Sequence, residues 1–427
     1  MKKFLIAFLF SIGITSFLFS QQVDAIINAK EVERIERILS ADDMQGRRAG
    51  TPGIDKAAQF IAQEFKTIGL QTTNNTGNFL QSFQLLRPKF IGVKGEINEV
   101  ELDPKNIIVI TIKPELKIDE KSGYQVATIT KGENLFGKSR EYFRGSKNYI
   151  VFVDTSFRNN FSRLTSFKRQ LFSSQQDVIF ILTENRPTKF KIKAEHEFSE
   201  VPMANVVGML PGKNKKNEYV IFSGHYDHLG IGKPVNGDSI YNGANDDAAG
   251  ITAVIMLAKY FKALGNNERS LLFVAFTAEE SGGFGSQYFS SQMNPRDVAA
   301  MFNIEMIGTE SKWGKNSAYI TGYENTDMGV ILEKNLKGTG FTFYPDPYPD
   351  QNLFFRSDNA TLARVGVPAH TISTSKMDNE PNYHKPSDEI ETLDMDNMAM
   401  IIKAIALSSK SIVNGTDTPS RVKIEDL

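Results

Sequence analysis

From Asn205 onward the sequence alternates continuous apolar runs with amphipathic helical stretches. A largely parallel sheet covered on both faces buries such a pattern. Residues 219–223, 271–277, 299–304 and 368–372 read as buried strands, and residues 248–264, 283–292, 359–365 and 395–413 as helices. The first of those helices carries Ile251, Val254, Ile255, Ala258 and Phe261 on one stripe. Upstream, residues 29–39 read as a helix. A second helix buries Ile54, Ala57, Ala58, Ile61, Phe65 and Ile68 before a stop at Gly69, and a turn-rich loop from Ser40 to Gly53 joins the two. The expected fold class is α/β, with a mostly parallel central sheet flanked by helices.

Residues 85–200 have a different texture. Short β-like runs at 106–112, 149–153 and 177–182 alternate with charged turns, and a helical stretch covers 162–172. No cluster of metal-ligating residue types occurs there. This segment reads as an inserted β-rich small domain that shapes access to the site. The expected layout is a signal peptide at 1–20, the start of the main domain at 21–84, the insertion at 85–200, the main domain at 201–413 and a polar tail at 414–427.

The leader reading rests on Met1-Lys2-Lys3, the apolar run 4–19 and the small residue Ser20. The run is short for a full span, so cleavage near Ser20 and no stable membrane anchor are expected. Export to the periplasm or the medium follows. Lys+Arg total 49 and Asp+Glu 50. That balance argues against a nucleic-acid partner, which an excess of positive charge would attract. There is no cysteine, so disulfides, thiolate metal sites and cysteine nucleophiles are excluded. Any metal must be held by His, Asp and Glu, which suits zinc or another borderline divalent ion. Nothing in the sequence sets an oligomeric state.

Five segments place such residues in order: Ser223-Gly-His225-Tyr-Asp227-His228, Gly243-Ala-Asn245-Asp246-Asp247-Ala-Ala-Gly250, Ala278-Glu279-Glu280-Ser-Gly282, Asn303-Ile-Glu305-Met-Ile-Gly308 and Tyr383-His384-Lys-Pro-Ser-Asp388. Most follow a predicted strand, where open α/β sheets place catalytic groups. A hydrolase with two ions needs about three ligands per ion, a bridging carboxylate and a base within reach of water. His225 can ligate, with Asp227 holding its other ring nitrogen. Asp246 is the expected bridge, and Asp246-Asp247 can also cap the helix that follows. Of Glu279 and Glu280, one can ligate while the other stands free as base. Glu305 and His384 complete the two sets, and Asp388 is placed to orient His384. His196, His228 and His370 are read as ordinary hydrogen-bonded histidines.

These residues and their order resemble the M28 family of zinc peptidases, the co-catalytic aminopeptidase-like hydrolases, over roughly residues 29–84 and 200–412. The phrases Asn205-Val-Val-Gly-Met-Leu-Pro-Gly, the loop from Gly46 to Gly53, and Ser357-Asp358 followed by Gly366-Val-Pro-Ala add to the likeness. The resemblance implies two zinc ions. One would take His225, Asp246 and Glu305, the other Asp246, Glu280 and His384, with Glu279 as general base and a cis Asp246–Asp247 peptide. It implies an exopeptidase acting on peptide substrates, most simply an aminopeptidase. A carboxypeptidase, for which Arg356 could clamp a terminal carboxylate, a glutaminyl cyclase and an inactive receptor-like homologue stay open as alternatives. The family more often has Asp where this chain has Glu305. The insertion lies where some members carry a protease-associated domain, though its sequence is not a close match.

Overall fold

The computed structural model describes residues 23–73, 77–184 and 187–426, and the run read as a signal peptide lies outside them. Among the described residues no helix is long and apolar enough to cross a membrane. The chain divides into two units. One comprises the described residues up to 82 with those from 203 onward, and the other is Phe83–Pro202.

The first unit opens with helix α1 (Ala29–Leu39). Its start is fixed by Asn28, whose side-chain oxygen accepts the Glu31 N–H at 3.1 Å. Helix α2 (Pro52–Ile68) begins on a proline, whose missing N–H is no loss in a first turn. The sheet of this unit uses the end of β1 (Phe190–Leu210) from Met203 onward, with β2 (Lys215–His225), β3 (Arg269–Phe276), β4 (Val298–Ile304), β5 (Ser317–Ile320), β6 (Thr342–Pro345) and β7 (Ala369–Ser373). Their order is β6-β5-β7-β4-β2-β3-β1. The pairs β3–β2, β2–β4 and β4–β7 are parallel, as the apolar runs imply. Strand β1 pairs antiparallel with β3 and β5 antiparallel with β7, and β6 lies parallel to β5 at the edge.

Helix α3 (Ala249–Leu264) packs against α1, α2 and β2. It is buried well beyond the five-residue stripe, since Thr252, Ala253, Met256, Leu257 and Tyr260 are also inside. Further along come α4 (Phe284–Ser291), α5 (Met328–Asn335) and α6 (Met395–Ser408). Helix α6 is capped by Asp394, which accepts the Asn397 N–H at 3.0 Å. At the centre of the core the Phe222 ring lies between Phe261, Phe273 and Phe302, with centroids 5.3, 5.7 and 5.0 Å away. Burying an aromatic of this kind contributes about 1.5–3 kcal/mol.

The segment read as a polar tail is docked on this unit. Val422 is buried, and its N–H donates to Gly366 O at 3.1 Å. The buried Arg269 guanidinium donates to Asp417 O and to the Thr418 hydroxyl.

The second unit contains a four-stranded sheet in the order Ile107–Ile110, Val178–Leu182, Tyr149–Val153, Gln125–Ile129. The first pair is antiparallel and the others are parallel. Both faces of the sheet are buried, one by Val93, Leu116, Ile118 and Ile192, the other by Phe161, Leu164 and Leu171. A helix at Leu135–Arg144, which the sequence reading does not mark, belongs to this unit. So do Glu115–Asp119 and most of two long strands, Leu80–Ile97 and Phe190–Leu210.

Candidate metal centre

Parallel register brings the ligand-bearing strands to a common edge. Ser223 pairs with Asn303, so His225 and Glu305 leave the sheet at the same level, and His225 itself pairs with Phe276, three residues before Glu279. All five predicted ligands converge here. Asp246 lies between the others with its two oxygens facing opposite ways. Oδ1 is 3.2 Å from His225 Nε2, and Oδ2 is 3.3 Å from His384 Nε2. His384 Nε2 is also 3.3 Å from Glu280 Oε1. Atoms of His225, Asp246 and Glu305 form one group close enough to share an ion, so the longer Glu305 side chain still reaches the position.

These spacings match those of donors around one metal. Ligand atoms ~2.0–2.1 Å from a tetrahedral zinc lie about 3.3 Å from each other. The contacts are not directed hydrogen bonds in every case: His225 Nε2 and Glu280 Oε1 are buried without a hydrogen-bond partner. The electrostatics agree. Burial lifts Glu305 to about 7 and Asp358, beside the Ser286 hydroxyl, to about 6. Burial also raises Glu279 well above the carboxylate range, with Glu305, Asp358 and Glu280 adding repulsion. Burial opposes charge on His225 and His384, yet neighbouring carboxylates outweigh it and raise both, His384 to about 10. So many carboxylates out of water require cations, and the residues present fit divalent ions.

The predicted ligands stand on loops held by three other carboxylates. Asp227 was expected to steady His225 through its side chain. Instead His225 Nδ1 faces the Asp227 main-chain oxygen at 3.0 Å, while the carboxylate oxygen is 3.8 Å away. That carboxylate accepts the N–H groups of Glu279 at 2.9 Å and Glu280 at 3.3 Å. Asp388 was expected to orient His384. Its two oxygens instead accept the N–H groups of Asn245 and Asp246 at 2.8 and 3.0 Å. Asp247 accepts from Gly250 at 3.0 Å, capping the helix as expected, and also from Met306 at 3.1 Å and His225 at 3.1 Å. The Asp246–Asp247 peptide is cis. Ala278, Met306 and His384 adopt left-handed backbone with φ of 57°, 52° and 56°. Such residues cost of order 1–3 kcal/mol each and collect where the surroundings over-determine them.

Gly250 makes the Asp247 clamp possible. A Cβ there would lie 2.2 Å from Ile304 O and 2.3 and 2.4 Å from the Asp247 oxygens. Gly250→Ala is expected to destabilise the protein by about 1–3 kcal/mol, as overpacking of a tight site does. The urea midpoint against wild type is the measurement, and an unchanged midpoint would contradict the contact.

Three residues of the site go beyond the sequence reading. His228, read as an ordinary histidine, is 1 % exposed, and both of its ring nitrogens lack a hydrogen-bond partner. Its Nδ1 is 2.9 Å from Glu280 Oε1. The signal was its place in the His225-Tyr-Asp227-His228 segment. Asp358 is a further buried acid beside Glu279 and Glu305, and it was visible only as part of a family phrase. Arg47 is fully buried and donates to Tyr226 O, Leu39 O, Asn242 O and Gly243 O at 2.9, 2.7, 2.5 and 2.8 Å. His370 is ordinary, as expected: its ring nitrogens lie 2.8 Å from Thr326 Oγ1 and from Thr321 O.

The stretch that contains all five predicted ligands, residues 205–408, matches the model of Peptidase family M28. Over these residues the chain is similar to peptidase family M28. Three curated relatives show what the chain is similar to. It is 24% identical to Leucine aminopeptidase 1 of Chaetomium globosum over 70% of this chain and 77% of that protein. It is 28% identical to a probable leucine aminopeptidase of Trichophyton verrucosum over 48% of this chain and 56% of that protein. It is 22% identical to aminopeptidase YwaD of Bacillus subtilis over 57% of this chain and 51% of that protein. With two of these three relatives, then, the chain spans only about half of the protein it matches. Among solved structures, a zinc aminopeptidase from Bacillus subtilis superposes with a TM-score of 0.55 at 17% identity, covering 92% of this chain and 97% of that one. Porphyromonas gingivalis glutaminyl cyclase superposes with a TM-score of 0.51 at 10% identity, covering 91% and 99%. These likenesses show the M28 fold: a mixed sheet, parallel at its centre, between layers of helices.

Proposed function

We propose that the protein is an exported di-zinc aminopeptidase. The observation that carries this reading is the placement of Asp246, one oxygen toward His225 and the other toward His384, which suits a carboxylate shared by two ions. His225, Asp246 and Glu305 would hold one ion, and Asp246, Glu280 and His384 the other. When bound, such ions polarise a scissile carbonyl and acidify a water molecule.

The remaining work falls to the chain's own residues. Glu279 takes the proton from water during attack and returns it to the leaving amine. Asp227 fixes this base by holding the Glu279 main-chain N–H. The carboxylates around the site favour a protonated N-terminal amine over a terminal carboxylate. Arg356, the candidate clamp for a carboxylate, is exposed and donates to Gln351 Oε1 at 3.1 Å. The substrate is then a peptide with a free N-terminus, processed one residue at a time. Export rests on the basic, then apolar, character of residues 1–19.

Amino-acid anilides, N-blocked peptides and C-terminal substrates, assayed with and without chelator, test this reading. Hydrolysis of the anilides alone is expected, abolished by the chelator and restored by zinc. Purified protein should carry about two divalent ions per chain. Full activity in metal-free protein would remove the hydrolase reading. Cyclisation of N-terminal glutaminyl peptides in place of hydrolysis would transfer the site to the chemistry of the glutaminyl cyclase that shares the fold.

A further inference from the structure

We propose that His228 is itself a ligand of the second ion, so that this position is held by His228, His384, Asp246 and Glu280. The proposal rests on the reading of the site as a metal centre and adds a donor to it. His228 Nδ1 lies 2.9 Å from Glu280 Oε1 and 3.9 Å from Asp246 Oδ2. Its ligand atom and those of these two residues all lie within 4.8 Å of one another, as do those of His225, Asp246 and Glu305. Glu280 Oε1 thus has an imidazole nitrogen on each of two sides, His228 at 2.9 Å and His384 at 3.3 Å. The two rings meet edge to face with centroids 5.8 Å apart and planes at 68°. That arrangement lets two imidazoles approach one point without stacking.

The ring has no competing task. Both nitrogens are buried and neither has a hydrogen-bond partner, whereas buried polar groups are nearly always satisfied. Glu280 Oε1 is equally without a directed hydrogen bond, despite its short distance to Nδ1. An ion between them would satisfy both atoms. The ring is also locked in place. Gly243 lies against it, where a Cβ would be 2.5 Å from both Cδ2 and Cγ, and Gly243 has φ +58°, which glycine adopts without strain. The main-chain N–H of His228 donates to Arg47 O at 3.3 Å. A side chain pinned in this way presents Nδ1 to Asp246 and Glu280 before any ion binds.

The two positions then differ in kind. The first has one imidazole and two carboxylates, leaving room for water, as catalytic sites require. The second has two imidazoles and two carboxylates, a nearly complete set. Nitrogen-rich donors favour zinc and its borderline neighbours over magnesium or manganese. The second ion is therefore the one expected to resist chelation longer.

X-ray absorption on the protein loaded with two zinc ions tests this directly. With His225, His228 and His384 all ligating, the average is about 1.5 imidazoles per zinc. About one imidazole per zinc would mean that His228 does not ligate, and would overturn the proposal while leaving the metal centre intact. Protein that binds no divalent ion would overturn both readings. As a second measurement, zinc titration of His228→Gln should show one of the two sites weakened by more than the ~10–100-fold that loss of an outer hydrogen-bonding partner causes. The visible spectrum of the cobalt-substituted variant should change at one site only. Two wild-type affinities with an unchanged cobalt spectrum would overturn it. The absorption measurement needs only the wild-type chain, so the outcome does not hang on whether the variant folds.

Discussion

Glu279→Gln is expected to lower kcat by ~10²–10⁴-fold while metal content stays at the wild-type value, because the amide keeps the shape of a general base but cannot accept a proton. The geometry separates the two adjacent glutamates. Glu280 Oε1 lies among the nitrogens of His228 and His384, whereas Glu279 is absent from both ligand groups. Glu279 is half-buried, so water can reach it. Asp227 accepts the N–H of each glutamate, so substitution of one side chain leaves the main-chain anchor of both in place. Metal analysis and steady-state kinetics on the same preparation check the prediction. Loss of an ion from the variant would instead make Glu279 a ligand and Glu280 the base.

Arg47→Ala is expected to cost about 3–5 kcal/mol of stability, the range for removing one partner from a buried charged network. Its guanidinium holds the carbonyls of Leu39, Tyr226, Asn242 and Gly243, and the nearby acids Glu36 and Asp388 favour its charge against the cost of burial. Alanine would take this donor from all four carbonyls, of which Gly243 O keeps the Ala248 N–H at 3.3 Å, and would remove the nearby positive charge that opposes the burial-driven rise of Glu36. Lysine keeps the charge but lacks the planar fork, so Arg47→Lys should fall between alanine and wild type. Urea unfolding of the three proteins at fixed zinc concentration is the measurement. Equal midpoints for alanine and arginine would show that the network contributes nothing to stability.

The central strands were legible because Val220, Ile221 and Phe222, or Leu271 to Phe276, are apolar on both faces, as strands buried on both sides must be. The candidate metal-binding residues were legible because imidazoles and carboxylates recur just after such strands. The long strands Leu80–Ile97 and Phe190–Leu210 were missed. Much of their length alternates buried and exposed residues, as in Lys191, Lys193 and Glu195 between Phe190, Ile192 and Ala194, and so lacks a continuous apolar signal. Arg47 was hidden in a loop whose glycines and single proline announce only turns. The roles of Asp227 and Asp388 were misplaced for a different reason. Sequence proximity put each acid beside a histidine, but the nearest donors in space are main-chain N–H groups from segments that are distant in sequence or already folded back. His228 was set aside because a lone strand-end histidine usually finds a hydrogen bond, and here it finds none.

Asp227, Asp247 and Asp388 each hold main-chain N–H groups of loops that carry ligands. Folding therefore sets the ligand positions, and an arriving ion has little chain left to order. This inverts the situation in small zinc domains, where the ion supplies the free energy of folding. Apoprotein made by dialysis should be a durable, empty receptacle, and different divalent ions could be loaded into it one after another on the same scaffold. Differences in rate among those loaded forms would then report the chemistry of each ion, because the protein around it would not have changed.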